Sequence, residues 1–220
     1  MNIFVLLLSY SRFRVYRVSL SKTQDILFSF LDDAFETLGG IPDEIVTDNM
    51  KTVMDEARTE YYAGKVNNKF QQFADDYGFK VQPCISGHPH TKAKVEAPMK
   101  ILDEIRAYNG KLNYIELVEL VTRINNRVNT QVNQGTGRIP LMYYNKEKAF
   151  LNSLPADNIR KPYQITTNTV KVNHSSMFNY KSCQYSVPPE YIDKIVSLQV
   201  YDGYIPVSYT HLRAHETLAN

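Results

Sequence analysis

Two periods of apolar and polar positions run through the chain, and their changeovers mark out its elements. Ile3 to Leu8 (IFVLLL) is apolar without a break and Phe13 to Leu20 (FRVYRVSL) alternates, so the two predict strands around the turn SYSR. From Thr23 to Leu38 the period becomes helical, with Ile26, Leu27, Phe30, Leu31, Ala34, Phe35 and Leu38 on one face and Gly39-Gly40 as the stop. A short strand, Glu44 to Thr47, then runs into Asp48. Asn67 is placed to cap a helix with Phe70, Phe73, Ala74 and Tyr77 on one face, ended by Gly78, and Phe79 to Cys84 predicts another strand. The loop ISGHPHT leads into a helix over KAKVEAPMKILDEIRAYNG that stops at Gly110. Asn113 and Glu116 form a capping pair for a further helix through Val128.

Strand, strand, helix, strand, helix, strand, helix is an α/β pattern, and it assigns residues 1–130 to one domain. Periodicity weakens after Gln131. Residues 131–160 read as a linker with one short helical piece, Lys146 to Leu154, ended by Pro155. From 161 to 207 the segments YQITTNTVKV, SMFNYKSCQYSV and IVSLQVYDGY predict a small all-β module. Residues 208–220 do not fit that module. SYTHLRAHET resembles translated sequencing-adapter sequence fused to the ends of environmental gene predictions, and 208–220 are set aside as a non-native tail. At the other end, core-like sequence begins almost at Met1, which leads us to expect a truncated N-terminus.

Composition narrows the classes. The chain has 220 residues, 43% hydrophobic and 22% charged, as in ordinary globular proteins. Its formal net charge is only +2, so any nucleic-acid surface must be local. Cys84 and Cys183 stand alone, without the spacing of a zinc module, and fit a reducing cytosol. IFVLLL is far short of the roughly 18 residues a membrane span needs, and no signal-peptide pattern surrounds it. We expect no membrane partner and a cytoplasmic location. There is no Gly-rich phosphate loop, which argues against ATP hydrolysis by this chain.

Two carboxylates stand out. Asp48 ends a strand, where α/β sheets place ligand and catalytic groups. Glu96 opens the helix that follows the next strand, so the fold can bring the two acids together. Converging acids can hold divalent metal ions for phosphoryl transfer. On spacing alone the plainer alternative stands beside this: an Asx turn at Asp48 and a helix-start acid at Glu96. Lys80, Lys92, Lys94 and Lys100 make the surroundings of Glu96 basic, and Lys100 shares its helix face. That suits a polyanion, although a solvated lysine face has the same look. Pro98 is tolerable in a first helical turn but leaves the geometry around Glu96 open. His88 and His90, with no third ligand in view, are a weak metal pair. Cys84 reads as core.

The blocks GGIPDEIVTDNMKT, NKFQQFADDYGFKVQPC, KAKVEAPMK and RIPLMYYNKEKAFLNSLP resemble the integrase-core transposases of the IstA type from bacterial insertion sequences. The resemblance implies a ribonuclease H-like integrase core, incomplete at the N-terminus, followed by a small barrel-like β module that contacts DNA or other subunits. It implies a triad of two aspartates and a glutamate, in which Asp48 is the second acid and Glu96 the third, with Asn49 in support. The first Asp belongs on a strand before IFVLLL; Asp25, Asp32 and Asp33 fall in a helix and do not replace it. Two Mg2+ (or Mn2+) ions, cleavage and strand transfer at transposon ends, target DNA, a helper ATPase and homo-oligomerisation on DNA are further implications. Lys92, Lys94 and Lys100 would lie along the DNA, and Ala93 stands where family members often carry Gly. Without the first Asp this fragment is expected to be inactive alone. The alternatives are a non-catalytic DNA-binding or assembly relic and a structure-specific nuclease on the same core.

Overall fold

The computed structural model describes residues 2–19, 21–85, 103–108, 111–165, 167–199 and 207–208. The chain divides into two compact units, Met1–Gln164 and Ile165–Asn220.

In the first unit, β1 (Asn2–Leu7) and β2 (Arg14–Ser19) form an antiparallel hairpin in register Asn2↔Ser19 to Leu7↔Arg14. The unbroken apolar run of β1 is explained by partial burial on both faces. Phe4, Leu6, Phe13 and Val15 pack into the cluster built on α1 (Gln24–Leu38), whereas Ile3, Val5, Tyr16 and Val18 pack with Leu117, Val121 and Ile124 on the other side. A strand covered on both faces has no solvent side to alternate with.

α1 buries Ile26, Leu27, Phe28, Phe30, Leu31, Ala34, Phe35 and Leu38, and ends at Gly39 with φ +63°. The left-handed cap turns the chain so that the N–H groups of Gly39 and Gly40 meet the carbonyls of Glu36 and Phe35. β3 (Glu44–Thr47) and β6 (Lys80–Pro83) then pair in parallel, Glu44↔Lys80 to Thr47↔Pro83. Parallel neighbours need a crossover, and α2 (Asn68–Tyr77) lies within it. The Asn67 side chain accepts from the Lys69 and Phe70 amides, and Gly78 closes the helix at φ +75°. Phe28, Phe70, Phe73, Tyr77 and Phe79 form an aromatic centre; Phe73, fully buried, lies 4.7 Å from Phe28 and 4.3 Å from Tyr77 between ring centroids. Before α2 the same crossover carries a small hairpin, β4 (Met54–Glu56) and β5 (Lys65–Val66).

Of the helix predicted up to Gly110, residues 103–108 are described: 103–106 are helical (α3, Asp103–Arg106) and 107–108 form a turn; Lys92 to Lys100 and Gly110 lie outside the described residues. α4 (Tyr114–Thr130) begins with the capping box of Asn113 and Glu116. It also closes the outer edge of β2 with side-chain amides. Asn129 Oδ1 accepts from the Arg14 N–H (2.9 Å), its Nδ2 donates to the Arg14 carbonyl (2.8 Å), and Asn125 Oδ1 accepts from the Tyr16 N–H (3.2 Å). Those bonds stand in for the strand that an open edge would otherwise recruit.

The short helix expected over Lys146 to Leu154 sits earlier. α5 runs Pro140–Glu147, followed by a 3-10 turn at Lys148–Phe150. Pro140 occupies the first helical turn, where its fixed φ and missing N–H cost nothing. Residues 131–164 belong to the first unit and pack on its core: Tyr144 stacks on Phe13 (4.4 Å) and donates to the Leu38 carbonyl (2.7 Å), and Asn152 exchanges backbone bonds with Ile41. α6 (Asp157–Arg160) brings Arg160 to Asp32 of α1, a carboxylate 1% exposed. Asp32 Oδ1 accepts from Arg160 Nε (2.7 Å) and the Tyr77 hydroxyl (2.8 Å), and Oδ2 accepts from Arg160 Nη2 (3.2 Å) and Gln164 Nε2 (2.8 Å).

The second unit is built of β7 (Thr167–Lys171), β8 (Met177–Tyr180), β9 (Cys183–Ser186), β10 (Ile195–Gln199) and β11 (Val207–Ser208). β10 lies between β11 and β7, antiparallel to both, and β8 pairs with β9. Its own core is Val172, Phe178, Val196 and Leu198. Ser208, the first residue of the segment set aside as a tail, pairs with Ser197; residues 209–220 lie outside the described residues. No helix among the described residues is long and apolar enough to cross a membrane.

Candidate active site

β3 is not the buried strand its β-branched residues suggest. Ile45 and Thr47 face inward, while Val46 is 46% exposed. Alternation therefore puts Asp48, the next residue, into solvent at the carboxyl end of the strand. The parallel partner β6 ends alongside: the Cys84 N–H donates to the Thr47 carbonyl (2.9 Å), and Cys84 is buried, in line with a core role.

Asp48 Oδ1 accepts from the adjacent Asn49 N–H (2.8 Å), one residue short of the N–H that an Asx turn uses. Asp48 forms no ion pair with any described residue, so its charge is not neutralised there. Asn49 has a different task. Its Nδ2 donates to the Cys84 carbonyl (2.9 Å) and its Oδ1 accepts from the Arg58 N–H (3.2 Å). Arg58 Nη1 in turn donates to the Pro83 carbonyl (3.1 Å). Asn49 thus latches the end of β3 to the end of β6 and to the β4–β5 hairpin, which fixes the backbone from which Asp48 projects. Arg58 had no signal in the sequence, because strands of three and two residues are too short to show a period.

Glu96, Lys92, Lys94, Lys100, His88 and His90 lie outside the described residues. Among the described residues no group of three His, Cys, Asp or Glu side chains is close enough to hold a metal ion. What is present is one exposed, unpaired carboxylate, a hard oxygen donor of the kind Mg2+ or Mn2+ accepts. It fits as one member of a ligand set.

Residues 1–89 match the integrase core domain family, and the fold is the ribonuclease H-like α/β fold of such cores. The simian T-cell lymphotropic virus intasome, solved by cryo-EM in complex with PP2A regulatory subunit B56 gamma, contains a chain superposable on it at TM-score 0.51 with 18% identity, over 93% of this chain and 68% of that one. At that identity the likeness speaks for the fold alone. The sequence relatives are more particular. The chain is 58% identical over 206 residues to the transposase for insertion sequence element IS232 of Bacillus thuringiensis subsp. berliner, covering 94% of this chain and 48% of that protein. It is 32% identical over 196 residues to the putative transposase for IS5376 of Geobacillus stearothermophilus, covering 88% and 47%. The chain is thus similar over most of its length to insertion-sequence transposases, and its first 89 residues match the integrase core. It spans about half the length of these curated relatives.

Proposed function

We propose that this chain forms the catalytic part of an IstA-type DNA transposase, with Asp48 and Glu96 as the second and third acids of its metal-binding triad. The observation that carries the reading is Asp48: an exposed, unpaired carboxylate at the carboxyl end of a parallel strand, on backbone held rigid by Asn49. The integrase-core match over the segment containing it supports the same assignment.

In this reading Asp48 and Glu96 hold two divalent ions, Mg2+ or Mn2+, which when bound supply Lewis acidity toward the attacking and leaving oxygens. The chain's own residues bind and orient. Water attacks the phosphodiester at the transposon end and frees a 3′ hydroxyl. That hydroxyl then attacks a target phosphodiester in line and displaces a target 3′ oxygen. Lys92, Lys94 and Lys100 grip backbone phosphates, which sets register without reading bases. Asn49 keeps Asp48 from swinging with its turn. The second unit, as a barrel-like module, contacts DNA or neighbouring subunits of a homo-oligomer, and a helper ATPase acts with the assembly. The chain spans about half the length of its curated relatives, so the assay uses a full-length transposase reading frame. Cleavage and joining are followed on labelled transposon-end oligonucleotides with Mg2+ or Mn2+. Asp48→Asn and Glu96→Gln each abolish both steps while DNA binding persists. Strand transfer at the wild-type rate by either variant removes the assignment.

A further inference from the structure

The loop at 57–64, between β4 and β5, carries groups that the cleavage chemistry does not use. It is closed tightly. The Thr59 N–H donates to the Tyr62 carbonyl (2.9 Å). Gly64, at φ +75°, has room for no side chain, since a Cβ there would stand 2.8 Å from the Arg58 nitrogen and 2.9 Å from the Glu56 carbonyl oxygen. The acids of β4 are already occupied by neutral donors: Glu56 accepts from the Tyr62 hydroxyl (2.6 Å) and Asp55 from Asn67 Nδ2 (2.9 Å). The remaining acid, Glu60, is exposed at the tip.

Two groups are left over. Arg58 is half-buried; its Nη1 is anchored on the Pro83 carbonyl, and no described carboxylate pairs with it. A guanidinium drawn partly out of water without a counter-charge favours an anion. Tyr61 is 94% exposed, a whole ring held in water on a closed turn. Such a ring offers a face for stacking at little ordering cost, because the turn has already fixed its backbone. Both groups belong to the loop that Asn49 ties to the Asp48 backbone.

A fixed cation and a presented ring beside an acid match a nucleic-acid strand, phosphate to one and base to the other. We propose that the 57–64 loop is a DNA clamp at the Asp48 site, in which the Arg58 guanidinium takes a phosphate neighbouring the scissile one and Tyr61 stacks on an unpaired base beside it. The clamp rests on the DNA-acting reading above and adds which residues hold the strand. Both are positioning residues.

The test uses the 220-residue chain, a fluorescein-labelled forked duplex and a blunt duplex of the same sequence, in a salt series. Arg58→Ala and Arg58→Gln each lower the slope of log affinity against log salt by about one. Gln keeps a donor for the Pro83 carbonyl, so a purely structural role for Arg58 predicts that Gln restores the wild-type slope. Tyr61→Ala weakens forked DNA about tenfold and leaves blunt duplex unchanged; Tyr61→Phe behaves as wild type. With 2-aminopurine at the fork, wild type and Tyr61→Phe quench it and Tyr61→Ala does not. Thermal melts show which variants are folded. If wild type binds and the variants match it in slope and quenching, the clamp falls and the transposase reading stands. If wild type binds neither DNA, the DNA-acting reading falls and the clamp with it.

Discussion

Replacing Asp32 by Asn changes one atom and should cost the fold several kcal/mol. In the native protein all four bonds to this carboxylate come from donors, two from Arg160 and one each from Tyr77 and Gln164. An asparagine keeps one acceptor oxygen, able to serve Arg160 Nε and Tyr77. Its amide nitrogen then faces Gln164 and Arg160 Nη2, donor against donor. Two bonds to a charged acceptor are lost, at about 1.5–3 kcal/mol each, so about 3–6 kcal/mol in all. Breaking a buried ion pair by removing one partner costs about 3–5 kcal/mol by a separate route, and the two figures agree. Arg160, 9% exposed, is left with Glu36, itself 65% exposed, as its nearest remaining carboxylate. Asp33, one residue away, faces solvent, and Asp33→Asn should stay within about 0.5 kcal/mol.

The same network sets a pH dependence. Burial alone would raise the Asp32 carboxyl, but the bonds from Arg160, Gln164 and Tyr77 outweigh it and hold the group below its ordinary value. A carboxylate depressed in the folded state contributes stability above its unfolded value, near 4, and loses it as pH falls through the lower folded value. Urea unfolding followed by far-UV circular dichroism should therefore show the full gap between wild type and Asp32→Asn at neutral pH. The gap should narrow progressively below about pH 4. Asp32→Leu combined with Arg160→Met and Tyr77→Phe should recover most of the loss, because replacing every buried member of the network by apolar groups is often close to neutral. A loss under about 1 kcal/mol, the range of exposed pairs, refutes the reasoning, and so does a loss that does not change on acidification.

Two further outcomes follow from the packing. Phe73→Ala empties the centre of the aromatic cluster shared by α1, α2 and Tyr163, and should cost about 3–5 kcal/mol in a denaturant titration. Asn129→Ala removes both amide bonds to Arg14 and leaves a buried N–H and carbonyl of β2 without partners. It should cost about 1–3 kcal/mol and speed amide exchange at Arg14 relative to Val5, which lies on the other strand of the hairpin.

The elements that could be read in advance carry their own period or cap. α1 and α2 show apolar faces bounded by Gly39 and Gly78, and the capping box fixed the start of α4 in the right register. Asp32 was legible only as a helical position. On α1 it falls among buried residues, Leu31 and Ala34 beside it, so the pattern marks it as an acid on the inward face. Nothing local names the partner that makes this tolerable, since Arg160 is 128 positions away. The same limit hides Asn125 and Asn129, whose amides look like ordinary helix surface until β2 is laid against them. The hairpin at 54–66 has strands too short for any period, and Arg58 carries no local signal either.

The candidate site divides along the same line. Asp48 could be picked out because a strand end is a local feature. Its support could not, because residues 49, 58, 83 and 84 meet only after β3, the hairpin and β6 are in place. That difference bears on the two local readings of Asp48. A residue placed merely to make an Asx turn accepts from the N–H two residues on, whereas Asp48 accepts from the adjacent Asn49 N–H. Here the neighbouring amide is spent on locking two parallel strand ends and a hairpin together, while the Asp48 carboxylate is left exposed and without a cation among the described residues. Neutral bonds hold the backbone and the charge is kept free. A turn residue gains nothing from that division of labour, whereas a carboxylate that must meet a cation gains both position and an unspent charge.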